Sequence, residues 1–385
     1  MTEQSFRNFD TLENRGALET PEARSCIIVF ASAAHASRNV AGLPSVARAA
    51  RQAALAGIDE CWIVAGPDWQ PEAWVEAEVV RLAAGLHVHR LPAGDLPVRC
   101  ATQSILLVAG ERLVAANHIH DPLARDPFVV SGLGLAAAGM PEFFEQIAAG
   151  RGAAELDEAE RQIIAATAKP GDGIISRHVN RPISQAISRT VLRWPAVRPM
   201  HATVVTALLA ATMVACLLTG GQIGLIAGAL LFQTASIIDG VDGEIARATF
   251  RSSDSGALAD SLVDAATNIG FIGGVVINLW IQGHSSAAIV GAAGLALMAL
   301  GLLLLGQRAR SPGRQFTFNA VKEDLGAGQS SFLQWLIWLT MRDFYAFAAV
   351  LFVLCGLAVP GLIAFGMVAT GWFVVILGVL GRRRV

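Results

Sequence analysis

Two different patterns of apolar and polar positions divide the chain. Over residues 25–172, short apolar runs at Cys26–Phe30, Cys61–Ala65, His87–Leu91, Ile105–Val108 and Phe128–Val130 alternate with helix-period segments at Pro44–Ala56 and Pro71–Ala84. Short β-like runs separated by helices predict a soluble, doubly wound α/β domain. After Met200 the pattern changes. Apolar stretches recur at 200–219, 222–238, 260–282, 286–306, 343–359 and 361–380. Since ~20 helical residues cross a ~30 Å hydrocarbon layer, these predict an all-α domain of six transmembrane helices.

The segments between and before these blocks complete the outline. Residues 1–24 form a polar tail, 25–172 the α/β domain, 173–199 a linker with a helix, and 200–385 the membrane domain. Met1–Pro21 lacks an apolar core, so no signal peptide is expected. In Arg181–Trp194, Ile183, Ile187 and Val191 fall at i, i+4 and i+8, with Arg189 and Arg193 off that stripe. Pro182 suits a first helical turn. The segment reads as a helix lying in the headgroup layer with Trp194 as its anchor, or as a helix packed on the soluble domain.

Composition sharpens the division. Hydrophobic residues make up 54% and charged residues 16%, against roughly 45–50% and 25% in soluble proteins, which excludes a disordered chain. Residues 1–195 carry 18 Lys+Arg and 22 Asp+Glu, a net −4, while residues 196–385 carry 11 and 9, a net +2. With −2 overall there is no basic field, and nucleic acid is not an expected partner. The connections at 220–222, 282–286 and 360–361 contain no Lys, Arg, Asp or Glu. The opposite connections carry Arg247 and Arg251, then Arg308, Arg310, Arg314, Lys322 and Arg342, then Arg382–Arg384. Basic residues favour the cytoplasmic side, so both termini and the soluble domain are expected there. Cys26, Cys61, Cys100, Cys216 and Cys355 are scattered without a CxxC pair and are expected to be free thiols.

The candidate chemistry lies at the end of the second apolar stretch. Asp239 and Asp242 are three apart, and Asp260 and Asp264 are four apart, so two helical segments would each present a pair on one face. Four carboxylates at a membrane boundary repel one another, and one Arg247 cannot neutralise them. Divalent metal can, and carboxylate oxygens suit Mg²⁺ or Mn²⁺, with two ions able to clamp a transferring phosphoryl group. Gly243, Ala246 and Gly256 would let a nucleotide approach the backbone, and Arg247 would meet phosphate charge. An EF-hand spacing does not fit, and a merely solvated acidic loop fits poorly beside continuous apolar sequence.

The run Asp-x2-Asp-Gly-x2-Ala-Arg-x8-Gly-x3-Asp-x3-Asp, complete from Asp239 to Asp264, resembles the signature of the CDP-alcohol phosphotransferases. Eight fixed positions at ~6% usage occur by chance on the order of 10⁻¹⁰ per start point. The resemblance covers roughly residues 174–385 and implies six spans, an interfacial helix and a homodimer. It implies transfer of a substituted phosphate from a CDP-alcohol, often CDP-diacylglycerol, to an acceptor hydroxyl with release of CMP, in phospholipid or polar-lipid synthesis. By the same likeness Asp239, Asp242, Asp260 and Asp264 bind the metals, Asp264 is also the general base, and Gly243, Ala246, Arg247 and Gly256 line the CDP site. One position departs: Pro199-Met200-His201-Ala202-Thr203 carries Met200 where the family often has Asn. Arg308, Arg310, Arg314 and Lys322 suit a phosphorylated acceptor, or enforce topology and touch anionic lipid.

In the first half, Val40–Ile58 and Ile105–Val114 resemble segments of nucleotidyltransferases, and Asp172–Ser184 is similar to the linker of fused enzymes. Those enzymes join an inositol-phosphate cytidylyltransferase to a CDP-alcohol phosphotransferase. Yet Ala31–Asn39, where a Gly-rich phosphate loop would fall, contains no Gly. The chain has only Lys169 and Lys322, and Gly110-Glu111 stands where an Asp would hold metal. A nucleotidyltransferase-like fold without activity is expected; the alternative is a bifunctional enzyme making an inositol-phosphate-type product. His118-Ile-His120-Asp121 reads as a surface loop or a metal ligand set, and Gly132-x-Gly134-x-x-Ala137 as a turn into a helix. An ion-coupled transporter would place polar residues in several spans, whereas these acids gather at one face.

Overall fold

The computed structural model describes residues 25–66, 69–91, 104–113, 128–131, 152–169, 171–309 and 342–382. The chain divides into two units, Met1–Arg161 and Gln162–Val385.

In the first unit the chain runs β1 (Ser25–Val29), α1 (Ala33–Ser37), β2 (Asn39–Val40), β3 (Leu43–Pro44), α2 (Ser45–Leu55), β4 (Glu60–Val64), α3 (Ala73–Leu82), β5 (His87–Arg90), β6 (Ser104–Ala109) and β7 (Phe128–Ser131). Five strands form one sheet in the order β5–β4–β1–β6–β7. The first four are parallel and β7 pairs antiparallel with β6. Cys26, Ile28, Cys61, Ile63, Leu106 and Val108 share a buried cluster with Val46, Ala50 and Ala53 of α2 and Val75 of α3. Ile27, Ile105 and Leu107, which alternate with those positions, are buried as well. Burial on both faces explains why these runs are apolar without alternation. The β2–β3 hairpin was not foreseen, because two-residue strands carry no periodicity. Its turn is Ala41-Gly42, both with positive φ (47° and 86°), the geometry that suits a two-residue hairpin.

The second unit is helical. A π-helical turn at Ser176–Asn180 leads into α5 (Arg181–Val191), and α4 (Gly152–Ala165) precedes it across the unit boundary. Then follow α6 (Pro199–Leu218), α7 (Gly221–Thr249), α8 (Asp254–Ile281), α9 (Ser285–Ala309), α10 (Arg342–Leu354) and α11 (Ala358–Arg382). Among the described residues α6, α7 and α8 are long and apolar enough to cross a membrane. Their shared core contains Met213, Leu217, Leu225, Phe232, Phe271 and Val275, with the Phe232 and Phe271 rings stacked 4.1 Å apart. The side chain of Leu217 fits because Gly228 and Gly274 leave room for it.

Helix ends differ from the apolar stretches in an instructive way. The second stretch ends at Ile238, but α7 continues to Thr249, because charge ends an apolar window without breaking a helix. Phe250, in the left-handed region at φ 52°, stops it. Likewise α8 begins six residues before Asp260, where the Ser253 side chain caps the amide of Gly256 at 3.1 Å. Gly356 (φ 72°) ends the turn after α10 at Leu354, short of the expected 359.

Helix α5 packs along α7 through its serine face. Ser184 and Ser188 are buried, while Ile183 is 44% exposed and Ile187 and Val191 are only partly covered. Within this unit, the apolar stripe is therefore not the packing face.

Candidate active site at the carboxylate cluster

Helical geometry puts the acids together. Asp239 and Asp242 ride on one face of α7, the turn at Phe250–Ser253 reverses the chain, and Asp260 and Asp264 ride on α8. Asp242 on α7 and Asp260 on α8 are near neighbours. Asp242 is buried and accepts a hydrogen bond from Thr203 Oγ1 at 2.8 Å. Thr203 belongs to the segment in which Met200 departs from the family pattern, and Met200 itself is 48% exposed.

Arg342, the first residue of α10, was read from sequence only as a topology charge. Its Nη1 lies 3.1 Å from Asp239 Oδ1 and also bonds Asp264 Oδ1, so one guanidinium joins the acids of two helices. The side chain is 10% exposed and sits 6.0 Å over the Phe232 ring, and among the described residues its Nε and Nη2 have no hydrogen-bond partner. The adjacent Asp343 accepts from Ser236 Oγ at 2.9 Å and Asn180 Nδ2 at 3.1 Å. A single basic residue among many could not be singled out before the fold placed it.

The donor set is oxygen throughout, the chemistry that hard divalent cations prefer. Arg342 supplies a positive charge between Asp239 and Asp264. Among the described residues no three His, Cys, Asp or Glu side chains stand close enough together to hold a metal ion in this conformation.

The small residues serve the helices themselves. A Cβ at Gly243 would stand 3.0 Å from Arg247 Nη1, so Gly243 makes room for that guanidinium. Arg247 Nε donates to the carbonyl of Thr167 at 2.8 Å. A Cβ at Gly256 would meet Ser253 Oγ at 2.9 Å, the atom that caps α8. Ala246 is half-buried on the same turn as Gly243.

Comparison with known proteins now bears on this cluster. Residues 197–379 match the CDP-alcohol phosphatidyltransferase family. This part of the chain is similar to CDP-alcohol phosphatidyltransferase domains. The chain is also similar to proteins named bifunctional IPC transferase and DIPP synthase. That of Thermococcus kodakarensis is 35% identical over 144 residues, 37% of this chain and 29% of the relative. That of Archaeoglobus fulgidus is 37% identical over 119 residues, 31% and 23% of the two chains. In Rubrobacter xylanophilus the figures are 36% over 156 residues, 40% and 34%. The chain thus spans about a third or less of the length of these relatives.

The transferase domain leaves some expected residues outside view. Arg308 falls in the last turn of α9, and Arg310, Arg314 and Lys322 lie outside the described residues. So do Cys100, His118, His120, Asp121, Gly132, Gly134 and Ala137. The described cysteines, Cys26, Cys61, Cys216 and Cys355, are free.

The α/β unit has its own candidate crevice, where strand order reverses between β1 and β6. The carboxylate of Glu111, buried just past β6, accepts from the amide of Ala31 at 2.6 Å and pairs with His35 Nδ1 at 3.1 Å. The Phe30 ring lies so near Gly110 that a Cβ there would be 2.5 Å from it. Side chains of the unit itself fill the end of β1 and β6.

Proposed function

We propose that the chain is a membrane phosphotransferase that passes an alcohol phosphate from a CDP-alcohol of inositol-phosphate type to an acceptor hydroxyl, releasing CMP. The observation that carries the substrate class is the likeness to relatives named for IPC transfer and DIPP synthesis, which favours a polar donor over CDP-diacylglycerol. The reaction class rests on the family match and the paired acids. In this reading the acceptor oxygen attacks the phosphorus on the alcohol side, the bond from that phosphorus to the CMP oxygen breaks, and the acceptor proton passes to Asp264. Asp239, Asp242, Asp260 and Asp264 would hold divalent metal, which supplies charge neutralisation at the phosphates. Arg342, which pairs with Asp239 and Asp264, would add positive charge beside the phosphates. Six helices would span the bilayer, with both termini cytoplasmic.

The relatives' name also includes an IPC transferase activity beside DIPP synthesis. Here Glu111 accepts from the amide of Ala31 and pairs with His35 beside the ends of β1 and β6, and residues 31–39, where a phosphate loop would fall, contain no Gly and no Lys. The proposed role is therefore the transfer step. Purified full chain with Mg²⁺, CDP-inositol and an inositol phosphate should release CMP, and Asp264→Asn should slow that release at least about 100-fold. Faster CMP release from CDP-diacylglycerol would overturn the substrate assignment. Pyrophosphate release from CTP and inositol phosphate would restore the bifunctional reading.

A further inference from the structure

Glu244 lies inside the signature run but at one of its unspecified positions, and among the described residues it is the most buried charged side chain, at 0% exposure. Three donors from α5 converge on it: Arg181 Nη1 at 2.8 Å and Ser184 Oγ at 2.6 Å on Oε1, and Ser188 Oγ at 2.5 Å on Oε2. Arg181 is itself held by both oxygens of Asp172, at 2.7 and 3.2 Å. At 100° per residue, Glu244 lies about 170° around α7 from the midpoint of Asp239 and Asp242. The helix is therefore gripped from behind at the height where it carries its carboxylates.

The grip is a ridge against a ridge. Ser236, Gly240 and Glu244 follow at i, i+4, i+8 on α7, and Asn180, Ser184 and Ser188 do so along α5 and its π-helical entry. Asn180 Nδ2 reaches Ser236 Oγ at 3.4 Å, and a Cβ at Gly240 would stand 3.3 Å from Arg181 Nη1 and 3.4 Å from Ser184 Oγ. Packing alone does not call for such groups, since apolar residues commonly replace a buried ion pair without loss of stability. Directional bonds add a fixed rotation and depth. A turn of about 20° would sweep a carboxylate roughly 6 Å from the helix axis through about 2 Å, whereas metal–oxygen distances tolerate about 0.2 Å.

We infer that Glu244 is a positioning residue of the transferase site, which locks α7 in rotation against α5 so that Asp239 and Asp242 face Asp260 and Asp264. The inference rests on the metal-dependent reading above, so the test measures metal binding apart from turnover. Full-length protein in micelles is titrated with Mn²⁺ by electron paramagnetic resonance, alongside thermal unfolding and CMP release. Glu244→Gln should bind Mn²⁺ at least about tenfold more weakly and lose kcat more than donor KM, with a melting temperature within a few degrees of wild type. Glu244→Asp should recover part of the binding. If Glu244→Gln fails to fold, the double variant Ser184→Ala/Ser188→Ala, which keeps the Arg181 pair, should still weaken Mn²⁺ about threefold. Wild-type Mn²⁺ affinity in whichever of these variants folds overturns the positioning role while leaving the transferase reading intact. A wild-type protein that neither binds Mn²⁺ nor releases CMP removes the reading itself and this inference with it.

Discussion

Thr203 and Arg342 hold the carboxylate cluster from opposite sides, one by a neutral hydrogen bond and the other by charge. Removing the hydroxyl leaves Asp242 short of a partner in a buried setting, a loss of about 1 kcal/mol. Thr203→Val should therefore raise the Mg²⁺ concentration for half-maximal CMP release about fivefold. Arg342→Gln leaves Asp239 and Asp264 facing each other without a cation. In EDTA this variant should be less stable than wild type by about 1–3 kcal/mol. Added Mg²⁺ should close most of the gap in a thermal melt. The acids were legible as residues because their spacing is helical and their neighbours apolar. Arg342 was not, since 78 residues separate it from Asp264 and nothing local marks it.

Among elements, two contacts decide how the helices seat. Gly294 of α9 meets Gly366 of α11 so closely that a Cβ at Gly294 would lie 2.7 Å from the Gly366 Cα. Backbone cannot yield as a side-chain tip can, so Gly294→Val should destabilise the protein by about 1–3 kcal/mol through overpacking, read as a lowered melting temperature. The second contact is the tether of α5. Burial pushes the Asp172 carboxyl up, but the hydrogen bonds and charge of Arg181 outweigh it and hold the group below its ordinary 3.8. A depressed carboxylate stabilises the fold above its unfolded value, and that contribution disappears as pH falls through the native one. Asp172→Asn should therefore flatten the acid limb of the stability curve below about pH 4 and leave its slope unchanged above pH 5. The helical patterns foretold α5 and turned its isoleucine stripe toward the headgroup layer or the soluble domain, leaving the opposite face unassigned. The serines of that face pack because α7 presents Glu244, a partner no periodicity within α5 can reveal.

For the whole molecule, the charge segregation of the connections makes a prediction about sidedness. With Arg-bearing connections cytoplasmic, the turn between α10 and α11 faces the other side of the membrane. Cys355 is exposed in that turn, while Cys26 and Cys61 are buried in the sheet of the other unit. In a Cys216→Ser background, a membrane-impermeant maleimide should label Cys355 on intact cells, and adding Cys355→Ser should abolish the signal. Labelling that appears only after permeabilisation would invert the proposed orientation.

By itself the amino-acid sequence determined what depends on neighbours along the chain. The five strands of the α/β unit, the order of apolar helices and the two acid pairs all follow from period, length and spacing. Tertiary structure decided what depends on partners far away. It extended α7 through the signature because a charged segment is still a good helix, and it put Arg342 between acids of two helices. It turned Glu244 away from the carboxylates and into the serine ridge of α5. It also paired Glu111, just past β6, with His35 of α1, residues 76 apart in the chain. Local patterns carry the free energy of forming an element; the placement of a charge is set by whichever partners remove it from water, and only the folded chain brings those together.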